Sequence, residues 1–252
     1  MTVMERLSVS GDGRFEITSS AVVDVADGSG ASLVIRPGKD CKVELMVGRD
    51  CRLSAFIVQE KEAKVEQVSH VGKGSVVRTS CIWLSGGEGK VLSSLEGEGA
   101  EAYDLHVFIE KGTDRLHLDS RLRHAAKDTK GNILVKGIVR DNAAAKLDGM
   151  IKIEKSGGGA ESFLSEHVML LNPGAHATAN PELEIENNDV SSRHAASVSQ
   201  IDEDKIFYLM ARGIAREDAR NLIIEGFLES AVGRISDEGM RKSLMEKVLA
   251  AI

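Results

Sequence analysis

Through the first two hundred positions, apolar residues come in short runs rather than long helical stripes. Ser32 to Arg36, Lys42 to Val47, Ser54 to Gln59, Ser75 to Leu84, Leu105 to Glu110 and Leu116 to Leu122 are apolar or alternating. Asn132 to Val139, Ala144 to Ile153, Ser162 to Leu171 and Pro181 to Glu186 continue the series. Turn signals such as Gly11-Asp12-Gly13, Gly86-Gly87 and Gly157-Gly158-Gly159 punctuate it. Such runs, bounded by Gly, Asp or Pro, predict strands. Strands spaced about every 8–12 residues fit a sandwich, a barrel or a solenoid, and a period of two does not choose among them. No exact short repeat is present, so a solenoid would be irregular.

The pattern changes at Ile201. Asp202 is an N-cap candidate, with Glu203 and Asp204 in the first turn where the helix dipole favours acids. Ile206, Phe207, Leu209 and Met210 give that helix an apolar side, and Gly213 is a natural stop. A second helix is expected from about Arg216, with Ala219, Leu222, Ile223, Gly226 and Phe227 near a 3.6 period. A third is expected from about Asp237, with Met240, Leu244 and Val248 at i, i+4 steps. Residues 1–200 therefore read as a β core, including a further N-terminal β segment, and residues 201–252 as a helical domain.

Composition narrows the function classes. Aromatic residues make up only 4% of the 252, with Gly at 25 and Pro at 3, which suits narrow turns and not an aromatic-lined groove. The formal net charge of -7, with no basic run, lacks the footprint of nucleic-acid binding. No apolar stretch reaches the roughly 20 residues of a membrane span. Met1 to Ser10 shows no charged-then-apolar leader, so a cytoplasmic protein is expected. Cys41, Cys51 and Cys81 are odd in number and form no CxxC pair, as expected of ordinary buried thiols.

The most informative stretch runs from Ala177 to Phe227. It contains Ala177-Thr-Ala-Asn-Pro-Glu-Leu-Glu-Ile185, Asn188-Asp-Val190, Arg193-His194-Ala195-Ala196 and Gln200-Ile-Asp-Glu-Asp-Lys-Ile-Phe-Tyr-Leu209. Ala211-Arg-Gly-Ile214, Glu217-Asp-Ala219 and Ile224-Glu-Gly-Phe227 follow. In order and spacing this string resembles the C-terminal signature of the SufB and SufD proteins, the D type most closely. Lys152 to Leu171 resembles the family more weakly, and no clear match precedes Leu116. The resemblance implies a mainly β fold, a right-handed parallel β-helix (solenoid) core with a C-terminal α-helical domain. It also implies a non-catalytic scaffold subunit of an iron–sulfur cluster assembly complex. Two such subunits, identical or paralogous, would pair through their β-helices, and the helical end would dock an ABC-type ATPase, SufC. The ATPase would be a separate chain, because Gly89-Lys90 lacks the spacing of a phosphate-binding loop and reads as a turn.

The resemblance singles out His194, which matches the histidine of the family's Cys-Ser-His-Gly-Ala stretch near the cluster-assembly site. Ser192 stands in place of that cysteine, and Ala195 where B-type members have a carboxylate. Glu166 falls where B-type members carry the sulfur-accepting cysteine, and a carboxylate binds iron but accepts no persulfide. These departures point to a D-like partner. His167 and His176 flank the Asn172-Pro173-Gly174 turn, so with Glu166 and His194 they form a candidate metal set. No firmly bound cofactor is expected, only a transient iron–sulfur cluster or iron at a subunit interface. Tyr208, Met210, Arg212, Gly213 and Ile214 are the candidate docking edge for the ATPase. Tyr208 and Arg212, four apart and of types enriched in binding hot spots, are favoured over Phe207. His70 and His106 are scattered, and His117 and His124 are placed to approach each other in stacked turns. Two other readings compete: a β-helical polysaccharide hydrolase or lyase using Asp119, Asp141 or Asp148, and a stand-alone metal-binding protein.

Overall fold

A computed structural model describes residues 4–235 and 237–251. Sixteen strands fall into two parallel eight-stranded sheets, and the chain passes from one to the other at every turn. Sheet A holds β1 (Glu5–Val9), β3 (Ala21–Val25), β5 (Cys41–Val47), β7 (Ala63–Val71), β9 (Gly87–Leu95), β11 (Arg115–His124), β13 (Ala144–Ile153) and β15 (His176–Ile185). Sheet B holds β2 (Gly13–Ile17), β4 (Gly30–Ile35), β6 (Arg52–Gln59), β8 (Val76–Trp83), β10 (Glu101–Glu110), β12 (Lys130–Val139), β14 (Ala160–Leu170) and β16 (Val190–Gln200). Each strand pairs with the strands two before and two after it, so the backbone coils with two strands per turn. Glu5 aligns with Ala21 and Ala144 with His176, so a turn lengthens from 16 to 32 residues along the coil.

Alternation explains the core. Every second residue of both sheets points inward, and these residues form one continuous cluster including Leu33, Leu45, Ile57, Leu118 and Leu147. Trp83, fully buried, is seated because Gly89 on β9 has no side chain, and a Cβ there would lie 2.7 Å from the indole ring. Gly89-Lys90 is therefore strand rather than the turn expected from sequence. Lys90 points outward between Glu66 and Asp119 in register.

The outer faces differ. Sheet A presents charged side chains to solvent, paired across neighbouring strands as Lys42–Glu66, Lys64–Glu88 and Arg123–Glu154. Sheet B presents Phe56, Val58, Ile82, Val107, Ile109 and Ile138, buried beneath three helices. These are α1 (Glu203–Met210), α2 (Arg216–Val232) and α3 (Glu238–Ala251). The Asp202 side chain accepts from the Lys205 N–H, the cap the sequence indicates, and that of Asp237 accepts from the Met240 N–H at the start of α3. Met240, Leu244 and Val248 are buried as expected. On α2 the buried stripe is Ala219, Ile224, Leu228, Ala231 and Val232, whereas Leu222 is 49% exposed. Lys136 on β12 latches α2 to the sheet, its ammonium donating to the Phe227 carbonyl at 3.0 Å and to the Ser230 hydroxyl at 2.5 Å.

Candidate functional site

The last turn of the coil, β15 and β16, is like the first an open end, and differs from every turn between them. Its inward-facing side chains continue the core rows in register, yet no further turn covers them. Ile185 aligns with Ile153 and Val198 with Val168, both core residues, but Ile185 is 44% exposed and Val198 38%. The outward edges of both strands also lack a neighbour, the feature that proteins ordinarily cover.

His194 sits on this turn. It aligns with Leu164, so it lies on the inner face of sheet B, exposed through the open end. It is mid-strand, not at a strand end. Glu166 lies one strand back on the same inner face, aligned with Ala196, which makes it a diagonal neighbour of His194. On the side of His194 away from Glu166, the Ser162 and Ser192 side chains are joined hydroxyl to hydroxyl at 2.9 Å. Glu166 is only 1% exposed, and Gly149 opposite makes room for it, since a Cβ there would lie 2.6 Å from the carboxylate. Burial, and then the Asp148 charge, push the Glu166 carboxyl up to about 7. One of its oxygens has no hydrogen-bond partner among the described residues. It is a buried acid rather than a solvated strand residue.

The other expected ligands point elsewhere. His167 follows Glu166 on β14 and therefore faces outward, its Nδ1 2.7 Å from the Ser197 hydroxyl. His176 opens β15 on the outer side of sheet A, aligned with Ala144. The four residues do not share one coordination sphere, and among the described residues no group of three or more His, Cys, Asp and Glu could hold a metal ion. His117 and His124 likewise diverge. His117 faces outward to Asp148 at 2.7 Å, while His124 faces inward to Thr129 at 2.8 Å. The three cysteines are buried, and burial raises the Cys41 and Cys81 thiols.

A second exposed feature lies on the helices. Phe207 is 72% exposed, and Tyr208, Met210 and Leu222 also face solvent. The Arg212 guanidinium stacks 4.5 Å over the Tyr208 ring, and Arg216 pairs with Glu203 at 2.7 Å to tie α2 to α1. Gly213, at φ +88, makes the turn between the helices. Ile214 packs into the helical core and is the least available of the expected docking residues.

The strand pattern alone does not reveal the acids buried mid-coil. Asp104 and Glu110 on β10 point inward, and burial pushes their carboxyls up to about 7 and about 8. His106 lies between them on the same face, held neutral by burial, with the Trp83 N–H on its Nδ1 and Ser120 3.0 Å from its Nε2. The carboxylates proposed for sugar chemistry are all engaged and frame no groove. Asp119 pairs with Arg121, and Asp141 accepts from the Gly112 N–H. Asp148 is held by His117, Lys146 and Asn180.

Comparison with known proteins agrees with the pattern of the last turn and extends it. The model of the SUF system FeS cluster assembly, SufBD core domain matches residues 11–227, far upstream of Leu116. A SufBD family protein of Mycobacterium bovis is 30% identical over 218 residues, 80% of this chain and 54% of that protein. The iron–sulfur cluster assembly protein SufD of Bacillus subtilis is 33% identical over 156 residues, covering 62% of this chain and 36% of SufD. SufB of the same organism is 28% identical over 153 residues, covering 58% and 33%. The chain thus spans about a third to a half of the length of these curated relatives. No helix among the described residues is long and apolar enough to cross a membrane. With its family model covering most of its length, the chain belongs to the SufB/SufD family of the SUF iron–sulfur cluster assembly system.

Proposed function

We propose that this chain is a scaffold subunit of a SUF-type assembly complex, without turnover of its own, that pairs with a second SufB/SufD-type subunit through its last turn. The carrying observation is the uncovered β15–β16 turn, where core-facing Ile185 and Val198 lie open beside His194. Apolar side chains in core register need a partner to exclude water, and a matching strand edge supplies both burial and backbone bonds. The two-sheet coil supports reading the fold as a right-handed parallel β-helix, since parallel crossovers are overwhelmingly right-handed.

The cargo, iron or a nascent cluster, would be held transiently at this junction. His194 and Glu166 give two donors from this chain, and the partner would complete the set. His167 and His176 face away and would contribute indirectly at most. The α1–α2 edge, with Phe207, Tyr208, Met210 and Arg212 exposed, is the docking surface for a SufC-like ABC ATPase. The lack of a phosphate-binding loop in this chain supports placing nucleotide hydrolysis in that partner.

The test is co-purification with a SufC-like ATPase and, separately, light scattering of the chain alone and with a B-type partner. Tyr208→Ala/Arg212→Ala is expected to abolish ATPase capture while leaving pairing intact. Val198→Lys is expected to abolish pairing and leave capture intact. Loss of neither interaction in either variant, in protein shown by circular dichroism to be folded, refutes the reading.

A further inference from the structure

A cleft of about 170 Å³ lies at the seam between the outer face of sheet B and the turn joining α2 to α3. Two in-register rows of sheet B form its floor. Ser54, Arg78, Tyr103 and Asn132 are aligned across β6, β8, β10 and β12. Two residues further on, Phe56, Ser80, Leu105 and Leu134 repeat the alignment. The wall is Arg234 and Ile235, from the end of α2. Polar donors and cations thus occupy one row and one wall, while the adjoining row and Ile235 are apolar and buried.

The charges are unbalanced. The Arg78 guanidinium lies 5.1 Å over the Tyr103 ring, and no carboxylate stands within ion-pair distance of Arg78 or Arg234 among the described residues. Glu101, the nearby acid, is taken by the Tyr103 hydroxyl, which donates to it at 2.8 Å. Asp104 lines the cleft, but its carboxyl turns inward beside Thr79 and Ser93. Glu161, beyond Asn132, pairs with Lys130 at 3.4 Å. Lys136, on the other side of Arg234, adds a further positive charge. In a chain of net charge -7, two exposed guanidiniums without a carboxylate partner make this half-polar, half-apolar cleft locally positive and leave their donors open to an anion.

We propose that this cleft binds a small organic oxyanion, a carboxylate or phosphate monoester on a single ring or branched aliphatic body. Arg78 and Arg234 grip the oxyanion, and Phe56, Leu105, Leu134 and Ile235 cover the apolar part. The volume suits one ring, being close to the roughly 150 Å³ of an apolar cavity that accepts benzene. Because floor and wall belong to different layers, a bound ligand ties the helices to the sheet. The site lies on neither the last turn nor the α1–α2 edge, so it stands or falls apart from the assembly role.

The test is titration of the full chain with benzoate, phenyl phosphate, inorganic phosphate and benzyl alcohol, read by ligand-detected NMR. Saturable binding of benzoate or phenyl phosphate is expected below about 10 mM, and the stronger of the two identifies the oxyanion class. Benzyl alcohol and inorganic phosphate should each bind at least about tenfold more weakly. Arg78→Gln and Arg234→Gln, both at exposed side chains, should each weaken binding about tenfold with unchanged circular dichroism. Hydrogen exchange should slow in the α2–α3 turn and in β10 and β12 on ligand addition. No saturable binding, equal binding of inorganic phosphate, indifference to both substitutions, or protection confined to other regions would each overturn the proposal.

Discussion

Sheets A and B share one interior, yet helices roof only sheet B, over the middle of its outer face. In sheet A, β7 and β11 alternate strictly, with Lys64, Glu66, Arg115, His117, Asp119 and Arg121 outward and buried residues, mostly apolar or small, inward. In sheet B, the stretch Val58, Ile82, Val107, Ile109 and Ile138 faces outward and is buried because the helices roof it. The acids show what this means electrostatically. Asp104, Glu110 and Glu166 all lie on sheet B, and burial raises each. On sheet A, Glu88 and Asp148 stand in solvent beside cations and are lowered. One coil therefore supports opposite proton affinities, depending on whether a carboxyl points into the dry interior or out to solvent.

The most damaging test of this contrast is to truncate matched outer-face residues. Ile82, fully buried under the roof, should cost about 3 kcal/mol as Ile82→Ala. Leu92, half-buried on the outer face of β9, should cost about 1 kcal/mol or less as Leu92→Ala. Urea unfolding midpoints decide it, and equal losses would mean that the helices do not seal sheet B.

The second test is the pH dependence of Asp104→Asn. The folded carboxyl, near 7, lies above its ordinary 3.8, so the folded state holds the proton more tightly than the unfolded chain. Below about pH 4 both states are protonated and the penalty is absent; it grows as pH rises and is complete above about 7. Ser93 and Thr79 pull the carboxyl down without completing a hydrogen bond to either oxygen. The variant is therefore expected to gain about 1–2 kcal/mol on the wild type at pH 8 compared with pH 4. A difference independent of pH would show that the interior does not raise the Asp104 carboxyl.

The same contrast explains what the sequence made legible. On sheet A, alternation told inside from outside, and most strand positions from Lys42 onward fell where expected. On sheet B, continuous apolar runs such as Val107 to Ile109 signalled a strand dry on both faces or a piece of buried helix, with no means of finding the roof. The helices themselves were legible from caps, but Leu222 was placed inward and lies outward, because Ile223, Ile224 and Leu228 offer competing stripes. His194 was found only through family resemblance, since a histidine in a Ser/Ala-rich strand carries no periodic signal. The burial of Glu166 was not legible for a related reason. The residues after it, His167 to Leu170, do not alternate cleanly, so the strand's phase was ambiguous. His167 and His176 were close to the site in sequence, but a period of two sends neighbours to opposite faces.

The third test concerns the latch. Lys136 aligns with Val107 on one side and His167 on the other, the only cation in the row that begins Val58, Ile82. Its ammonium bonds Phe227 and Ser230 and lies 4.3 Å over the Phe227 ring. Lys136→Met keeps the stem but removes the bonds, and is expected to cost about 1 kcal/mol and to speed hydrogen exchange in α2. Lys64→Met, which breaks the exposed pair with Glu88 on sheet A, should leave stability and α2 exchange nearly unchanged. Faster exchange spread evenly over both sheets, rather than in α2, would remove the latch role.

The smallest expected effect tests the wet side directly. Partial burial would lift the Asp148 carboxyl, but Asn180, Lys146 and His117 outweigh it and hold it down to about 2. A depressed acid stabilises the fold above its unfolded value, and that contribution disappears as pH falls from about 4 through about 2. With 31% of the side chain in solvent, screening limits the contribution at pH 7 to about 0.5 kcal/mol. Asp148→Asn should therefore destabilise slightly at pH 7, hardly at all at pH 2, and less in about 1 M salt than in about 0.1 M. Asp104→Asn should show the reverse sign with pH and little response to salt, because no ions reach it. If the two substitutions instead shared one sign and one salt dependence, burial in the interior would not be what separates these two acids, and local partners alone would have to account for both.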